Sequence, residues 1–186
     1  MEKAHLLYLQ NRVAYARDPV AYKELFLHFH PKLYQLALGI INQDILAEEI
    51  VSDVMTRIWT MENRLAHVEA LKIYLLTAVR NTAYNYAKKR RQDGFVLEAD
   101  AGGGIADPGE ADQPLIASEL SGLIENAVQS LPRQCQQVFR LIKEEGLSYQ
   151  ETGAVLGLSQ NTLETHMRLA LKKLKVALDG YLLKKK

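Results

Sequence analysis

The chain has one cysteine in 186 residues, Cys135. An internal disulfide and any cysteine-cluster metal site are therefore excluded. Long hydrophobic runs are also missing: the apolar stretches are short and broken by polar residues, so no segment reads as a bilayer-spanning helix. The opening stretch MEKAHLLYLQNR has no signal-peptide cleavage pattern, and a cytoplasmic protein is expected. Positive charge is absent from residues 92–130, which hold no Lys or Arg against eight Asp or Glu. The net charge of +1 thus conceals +4 over residues 1–91, −8 over 92–130 and +5 over 131–186. Two mildly basic modules flank an acidic segment, and either could offer a nucleic-acid face.

Periodicity predicts helices throughout. A first helix is weakly marked, roughly residues 6–15. Asp18-Pro19 marks a clearer start, since Asp caps and Pro suits the first helical position. Leu25, Phe29, Leu33, Leu36, Ile40 and Ile41 keep helical spacing, with Pro31 predicting a kink or break near His30. His28 and His30, two apart on a helix, point to different faces and make a poor metal pair. Over residues 44–59, Ala47, Ile50, Val51, Val54 and Ile58 form an apolar stripe, while Glu48, Glu49, Ser52 and Asp53 form an acidic face. Such a face cannot meet phosphate. It faces water, the choice that burial statistics favour, or docks on a basic protein.

Residues 61–70 read as a polar loop and 71–91 as a long helix. Leu75, Ala78, Val79, Thr82 and Tyr86 are expected inward, and Tyr74, Arg80, Asn81, Tyr84, Asn85 and Lys88 outward. Aromatics among cationic and amide groups suit stacking and phosphate contact. Basic residues near a helix C-terminus also simply complement its dipole. Residues 92–117, with Gly102-Gly103-Gly104, Pro108-Gly109 and Pro114, read as a flexible acidic linker. The glycine triplet is no phosphate cradle, because no Gly-Lys-Ser/Thr follows it. Beyond it, Leu120, Leu123, Ile124, Ala127 and Val128 mark a helix, and Pro132 starts another with Cys135, Val138, Phe139 and Ile142 inward. The tail of lysines 184–186 is expected to fray.

Residues 146–178 are the most informative stretch. Ser148 and Glu151 form a capping box, Gly157 supplies a left-handed corner, and Ser159 caps a second helix. There Leu163, Met167, Ala170, Leu171, Leu174 and Leu178 share one face; Asn161, Thr165, Arg168, Lys172 and Lys175 share the other. With small Gly153 near the crossing, this is a helix-turn-helix pattern, in which short polar groups suit base edges and later cations suit phosphates. A helical hairpin with a solvated basic face fits the same spacing.

Three stretches in register, AEEIVSDVMTRIW, YLLTAVRNTAYNYAKKRR and LPRQCQQVFRLIKEEGLSYQETGAVLGLSQNTLETHMRLALKKL, carry a family resemblance over nearly the whole chain. The chain resembles the extracytoplasmic-function sigma factors, the small two-domain promoter-recognition subunits of bacterial RNA polymerase, particularly the group common in Bacteroidetes. The resemblance implies an all-α protein with two helical domains: a region 2-like domain over 1–91, the acidic linker over 92–117, and a region 4-like helix-turn-helix domain over 118–183.

It also implies roles. Glu49, Ser52 and Asp53 would dock on the clamp helices of the polymerase largest subunit, giving the acidic face a protein partner. Asn63, Arg64, His67, Tyr74, Arg80, Asn81, Asn85 and Lys88 would read and open the −10 element. Asn161, Thr162, Glu164, Thr165, Arg168 and Lys172 would meet the −35 element. Core polymerase, promoter DNA and an anti-sigma factor are the implied partners, with no metal, cofactor or catalysis. Tyr74 stands where the family often has Trp, Asn85 where many members have Asp, Gln136 where many have Arg, and Thr152-Gly153 where Ile-Ala is usual. Two competitors remain for comparison. One is a polymerase-independent helix-turn-helix regulator with an N-terminal sensing or dimerisation domain. The other is a metal-dependent nuclease built on Asp44, Glu48, Glu49 and Asp53.

Overall fold

The computed structural model describes residues 1–92 and 115–184, with side chains described outside positions 91, 92, 115–118 and 182–184. Among the described residues every regular element is a helix and no strand occurs. The expected flexible linker lies outside the described residues apart from its ends, which belong to helices. Two compact units divide the chain, residues 1–97 and 98–186.

The first unit contains α1 (Lys3–Ala16), α2 (Pro19–Ile41), α3 (Asp44–Thr60), a 3-10 helix (Glu62–His67) and α4 (Leu71–Gln92). Asp18 caps α2 by accepting a hydrogen bond from the Val20 N–H at 2.9 Å, with Pro19 in the first turn. The break expected near His30 does not occur: α2 is one helix with Pro31 inside it. Pro31 and Leu27, whose carbonyl loses its i+4 donor, both lie on the exposed face, where water can satisfy that oxygen. The apolar stripe through Leu25, Phe29, Leu33 and Ala37 meanwhile holds both halves of the helix on one core. Its neighbours there include Ile50, Met55 and Ile58 of α3 and Leu75 and Leu76 of α4, all essentially fully buried. Full burial of each such side chain is worth about 1.5–3 kcal/mol, which outweighs one lost helix bond.

The segment expected as a polar loop, 61–70, contains the 3-10 helix, because Leu65 is driven to zero exposure beneath it. Leu65 is the one buried side chain of the stretch. The turn begins at Glu62 with a left-handed φ of 51°. α1 packs against both this turn and α2 through Leu9, Val13 and Ala14.

The second unit contains α5 (Leu115–Gln129), α6 (Arg133–Phe139) continuing into a π turn (Arg140–Glu144), α7 (Tyr149–Leu156) and α8 (Gln160–Lys184). α5, α6 and α7 all pack on α8. The π turn, closed by the Glu145 N–H to the Arg140 carbonyl at 2.9 Å, inserts one residue into the turn. Leu141, three residues on from buried Val138, lies in the core there, and Ile142, expected inward, is half-buried. Leu171 also departs from expectation, being 49% exposed. The buried seam of α8 is the narrow one through Leu163, Met167, Ala170 and Leu174, spaced by four, three and four.

Candidate nucleic-acid interfaces

On α3 the buried stripe turns Glu49, Ser52 and Asp53 outward, and all three are exposed. Tyr86 of α4, expected in the core, instead lies half-buried with its hydroxyl over this acidic face. The phenol donates to Asp53 Oδ2 at 2.9 Å and reaches Glu49 Oε1 at 3.2 Å. Its pKa is pushed up to about 12, first by the hydrogen bond to Asp53, since ionisation would set an anion against two carboxylates. Tyr34 of α2 donates likewise to Asp44 Oδ1 at 2.6 Å, and its pKa also rises to about 12. His30 Nε2 lies 2.8 Å from Glu48 Oε2. The four acids of the nuclease alternative are thus engaged by side chains from α2 and α4: Asp44 by Tyr34, Glu48 by His30, and Glu49 and Asp53 together by Tyr86. Among the described residues no group of three or more His, Cys, Asp or Glu could hold a metal ion.

The 3-10 helix turns Asn63, Arg64 and His67 to solvent while Leu65 anchors it from below. Gln10 of α1, buried and not singled out by its sequence context, donates to the carbonyls of Leu65 at 2.7 Å and Val68 at 2.8 Å. Tyr74 is half-buried at the start of α4, its hydroxyl 3.4 Å from Met61 sulfur, which ties α4 to the end of α3. Further along α4, the Arg80 guanidinium lies 4.9 Å from the Tyr84 ring centroid and donates to Asn81 Oδ1 at 3.0 Å. Asn81, Tyr84, Asn85 and Lys88 are exposed, and together with Arg80 make a face of rings, amides and cations. Arg90 reaches back from α4 to the side chain of Gln43.

In the second unit the helix-turn-helix is built by local bonds. Ser148 Oγ accepts from the Glu151 N–H at 3.2 Å, and the Glu151 carboxylate accepts from the Ser148 N–H at 2.8 Å. Gly157 closes α7 at φ 69°, where a side chain would be strained. A Cβ on Gly153 would sit 3.0 Å from the Leu158 carbonyl oxygen, so close passage of the corner requires the small residue there. Ser159 caps α8 by accepting from the Thr162 N–H at 3.3 Å.

Asn161, Glu164, Thr165, Arg168 and Lys172 are exposed along α8, and Thr162 is half-buried. Several are already occupied. Thr162 Oγ1 pairs with Ser159 Oγ at 2.8 Å, Thr165 Oγ1 donates to the Asn161 carbonyl at 2.9 Å, and Glu164 accepts from Gln160 at 2.9 Å. Lys173 is spent differently from its basic neighbours, donating to the Ser130 carbonyl at 2.7 Å and so closing the end of α5. Cys135 is buried with Sγ 3.0 Å from His166 Nδ1, and burial pushes its thiol pKa up.

One unit with an acidic helix face beside an aromatic and basic helix, and a second unit with a helix-turn-helix, define a two-module promoter-recognition subunit of the sigma-70 kind. Residues 25–92 match the family model for sigma-70 region 2, and residues 121–174 match that for sigma-70 region 4. The chain belongs to the extracytoplasmic-function sigma factors of RNA polymerase, which direct promoter-specific transcription initiation. Relatives along most of its length include the sigma factor RpoE of Cereibacter sphaeroides, 28% identical over 160 residues, covering 86% of this chain and 87% of that one. SigK of Mycobacterium tuberculosis is 25% identical over 177 residues, covering 92% of each. Two solved structures share the fold. One is the sigma factor RpoE with the anti-sigma factor NepR from Bartonella quintana, with a TM-score of 0.57, 24% identity, and coverage of 85% of this chain and 96% of that one. The other is CnrH with the cytosolic domain of CnrY, with a TM-score of 0.53, 19% identity, and coverage of 95% and 98%. No helix among the described residues is long and apolar enough to cross a membrane.

Proposed function

We propose that the acidic face of α3 is the polymerase-docking surface, with Glu49, Ser52 and Asp53 meeting the clamp helices of the largest subunit. The observation that carries this is its outward display of carboxylates beside the basic, aromatic face of α4. The first face would repel phosphate and the second attracts it, so one small unit can hold protein on one side and DNA on the other. Asn63, Arg64 and His67 on the 3-10 helix, with Tyr74, Arg80, Asn81, Asn85 and Lys88 on α4, read and open the −10 element. Asn161, Thr162, Glu164, Thr165, Arg168 and Lys172 on α8 meet the −35 element. The protein works in the cytoplasm as a non-enzymatic subunit.

Each module buries little DNA surface by itself, and joining both on one polymerase raises the effective concentration of the second at its site. The acidic linker between them, residues 92–117 with six Asp or Glu and no Lys or Arg, screens the basic faces before polymerase binds. An anti-sigma factor is a fitting further partner, since the two solved relatives are each held by another protein chain. Exposed Leu120 and Ile124 on α5 suit such a contact.

Run-off transcription with purified core polymerase tests the reading. Wild-type protein should start transcripts at promoters that core alone ignores. Glu49→Lys with Asp53→Lys should abolish this by loss of core binding, leaving each unit folded by circular dichroism. Unchanged core binding in that variant refutes the docking assignment, and site-specific protection of DNA by the free protein would favour the polymerase-independent regulator.

A further inference from the structure

We propose that Gln10 in α1 is a positioning residue for −10 recognition, holding the 3-10 helix in the shape that presents Asn63, Arg64 and His67. This rests on the reading proposed above of Asn63, Arg64 and His67 as −10 contacts, their turn forming the pocket for a base. Gln10 is 3% exposed, between the buried apolar side chains Leu9 and Val13. An amide placed there is costly unless both its N–H groups are paired. Both are: one donates to the Leu65 carbonyl at 2.7 Å and the other to the Val68 carbonyl at 2.8 Å.

Those acceptors sit at the C-terminal end of the turn, where a helix leaves carbonyls without intrahelical donors. The Val68 N–H supplies one internal bond to the Leu65 carbonyl at 3.1 Å, and Gln10 adds a second there and one to the Val68 carbonyl. The other end of the turn starts at Glu62 with φ 51°, a conformation that ordinary residues keep only where surrounding structure imposes it. A strained start and a clamped exit leave the three outward side chains on a backbone that cannot slide. Gln10 touches no base in this arrangement. It fixes where the base-contacting groups stand, and brings the N-terminal helix into promoter reading.

The experiment compares full-length wild type, Gln10→Met and Gln10→His as polymerase holoenzymes, with Asn63→Ala and His67→Ala alongside. Open-complex formation is measured on forked promoter DNA with each −10 non-template base replaced in turn. Gln10→Met, similar in length but without donors, should lower −10 base discrimination about fivefold or more, the lower end of what a base contact is worth. Core affinity and dependence on the −35 element should not change. Gln10→His, with one ring N–H, should fall between. Folding is checked by helicity and by amide protection in α4.

If Asn63→Ala and His67→Ala leave discrimination untouched, the base-pocket reading fails. If they lower it and folded Gln10→Met does not, the role of Gln10 is overturned. In the wild type, the two Gln10 side-chain amide protons should exchange slowly with water by NMR. Fast exchange would overturn the proposal whether or not the variants fold.

Discussion

The two units position their outward side chains by different means. In the second, the corner is made by contacts between residues three or four apart: Ser148 with Glu151, Ser159 with Thr162, and Gly157 with Gly153. In the first, the links span the chain: Gln10 to Leu65 and Val68, Tyr86 to Asp53, Tyr34 to Asp44, and Arg90 to Gln43. A corner held by local bonds keeps its shape as long as its helices form. A module held by distant bonds keeps its shape only while the whole core is assembled, so changes far from its surface should reach that surface.

The sharpest break of this contrast comes at Gly153. Gly153→Leu forces side-chain atoms past the Leu158 carbonyl and toward Leu163, and overpacking of that kind costs about 1–3 kcal/mol. Melting of the second unit and loss of −35 binding should follow, with α1–α4 unaffected in amide protection. A smaller effect is expected for Ser148→Ala. Removing one half of the capping box costs about 1 kcal/mol, or roughly 4–8 °C in a unit this small, measured by thermal circular dichroism. The local bond is the whole device, so no other site should change.

Thr152→Val should act in the opposite direction. Thr152 is fully buried and its Oγ1 has no hydrogen-bond partner, so the isosteric methyl removes a desolvated hydroxyl and should stabilise by up to about 1 kcal/mol. A drop in the melting temperature would mean that the hydroxyl is satisfied in solution. The smallest effect belongs to the long-range phenols. Tyr34 and Tyr86 have pKa values raised to about 12 in the folded protein, against about 10 unfolded. Raised values favour the folded state fully below pH 10, and this contribution is lost as pH climbs from 10 through 12. Ultraviolet titration should show two late-ionising tyrosines, and Tyr34→Phe and Tyr86→Phe should each delete one. Titration of both near 10 would break the link between α3 and its neighbours.

The same contrast explains what could be read in advance. Asp18-Pro19, Ser148 with Glu151, and Gly157 announce themselves because a cap depends on the identity of residues within one turn. The helix break expected at Pro31 failed because a local rule was applied where the core decided: an exposed proline on a helix with a strong buried stripe does not end it. Leu65 did not stand out in a segment read as a polar loop, and Ile142 fitted the inward period although the core took its neighbour Leu141. Tyr86 fitted an inward position by period, yet its polar tip found Asp53, thirty-three residues away in sequence. Gln10 gave no signal at all, for a buried glutamine in a weakly amphipathic helix looks like any solvent-facing one until its partners are known.

Sequence alone determined that the chain is helical, that its charge is divided into three blocks, where the helix-turn-helix begins and turns, and which faces are polar, because each depends on neighbours along the backbone. Tertiary structure decided which polar residues are free to meet a partner and which are consumed in holding the fold. That choice depends on groups that meet only when helices distant in sequence pack together, and no periodicity encodes it.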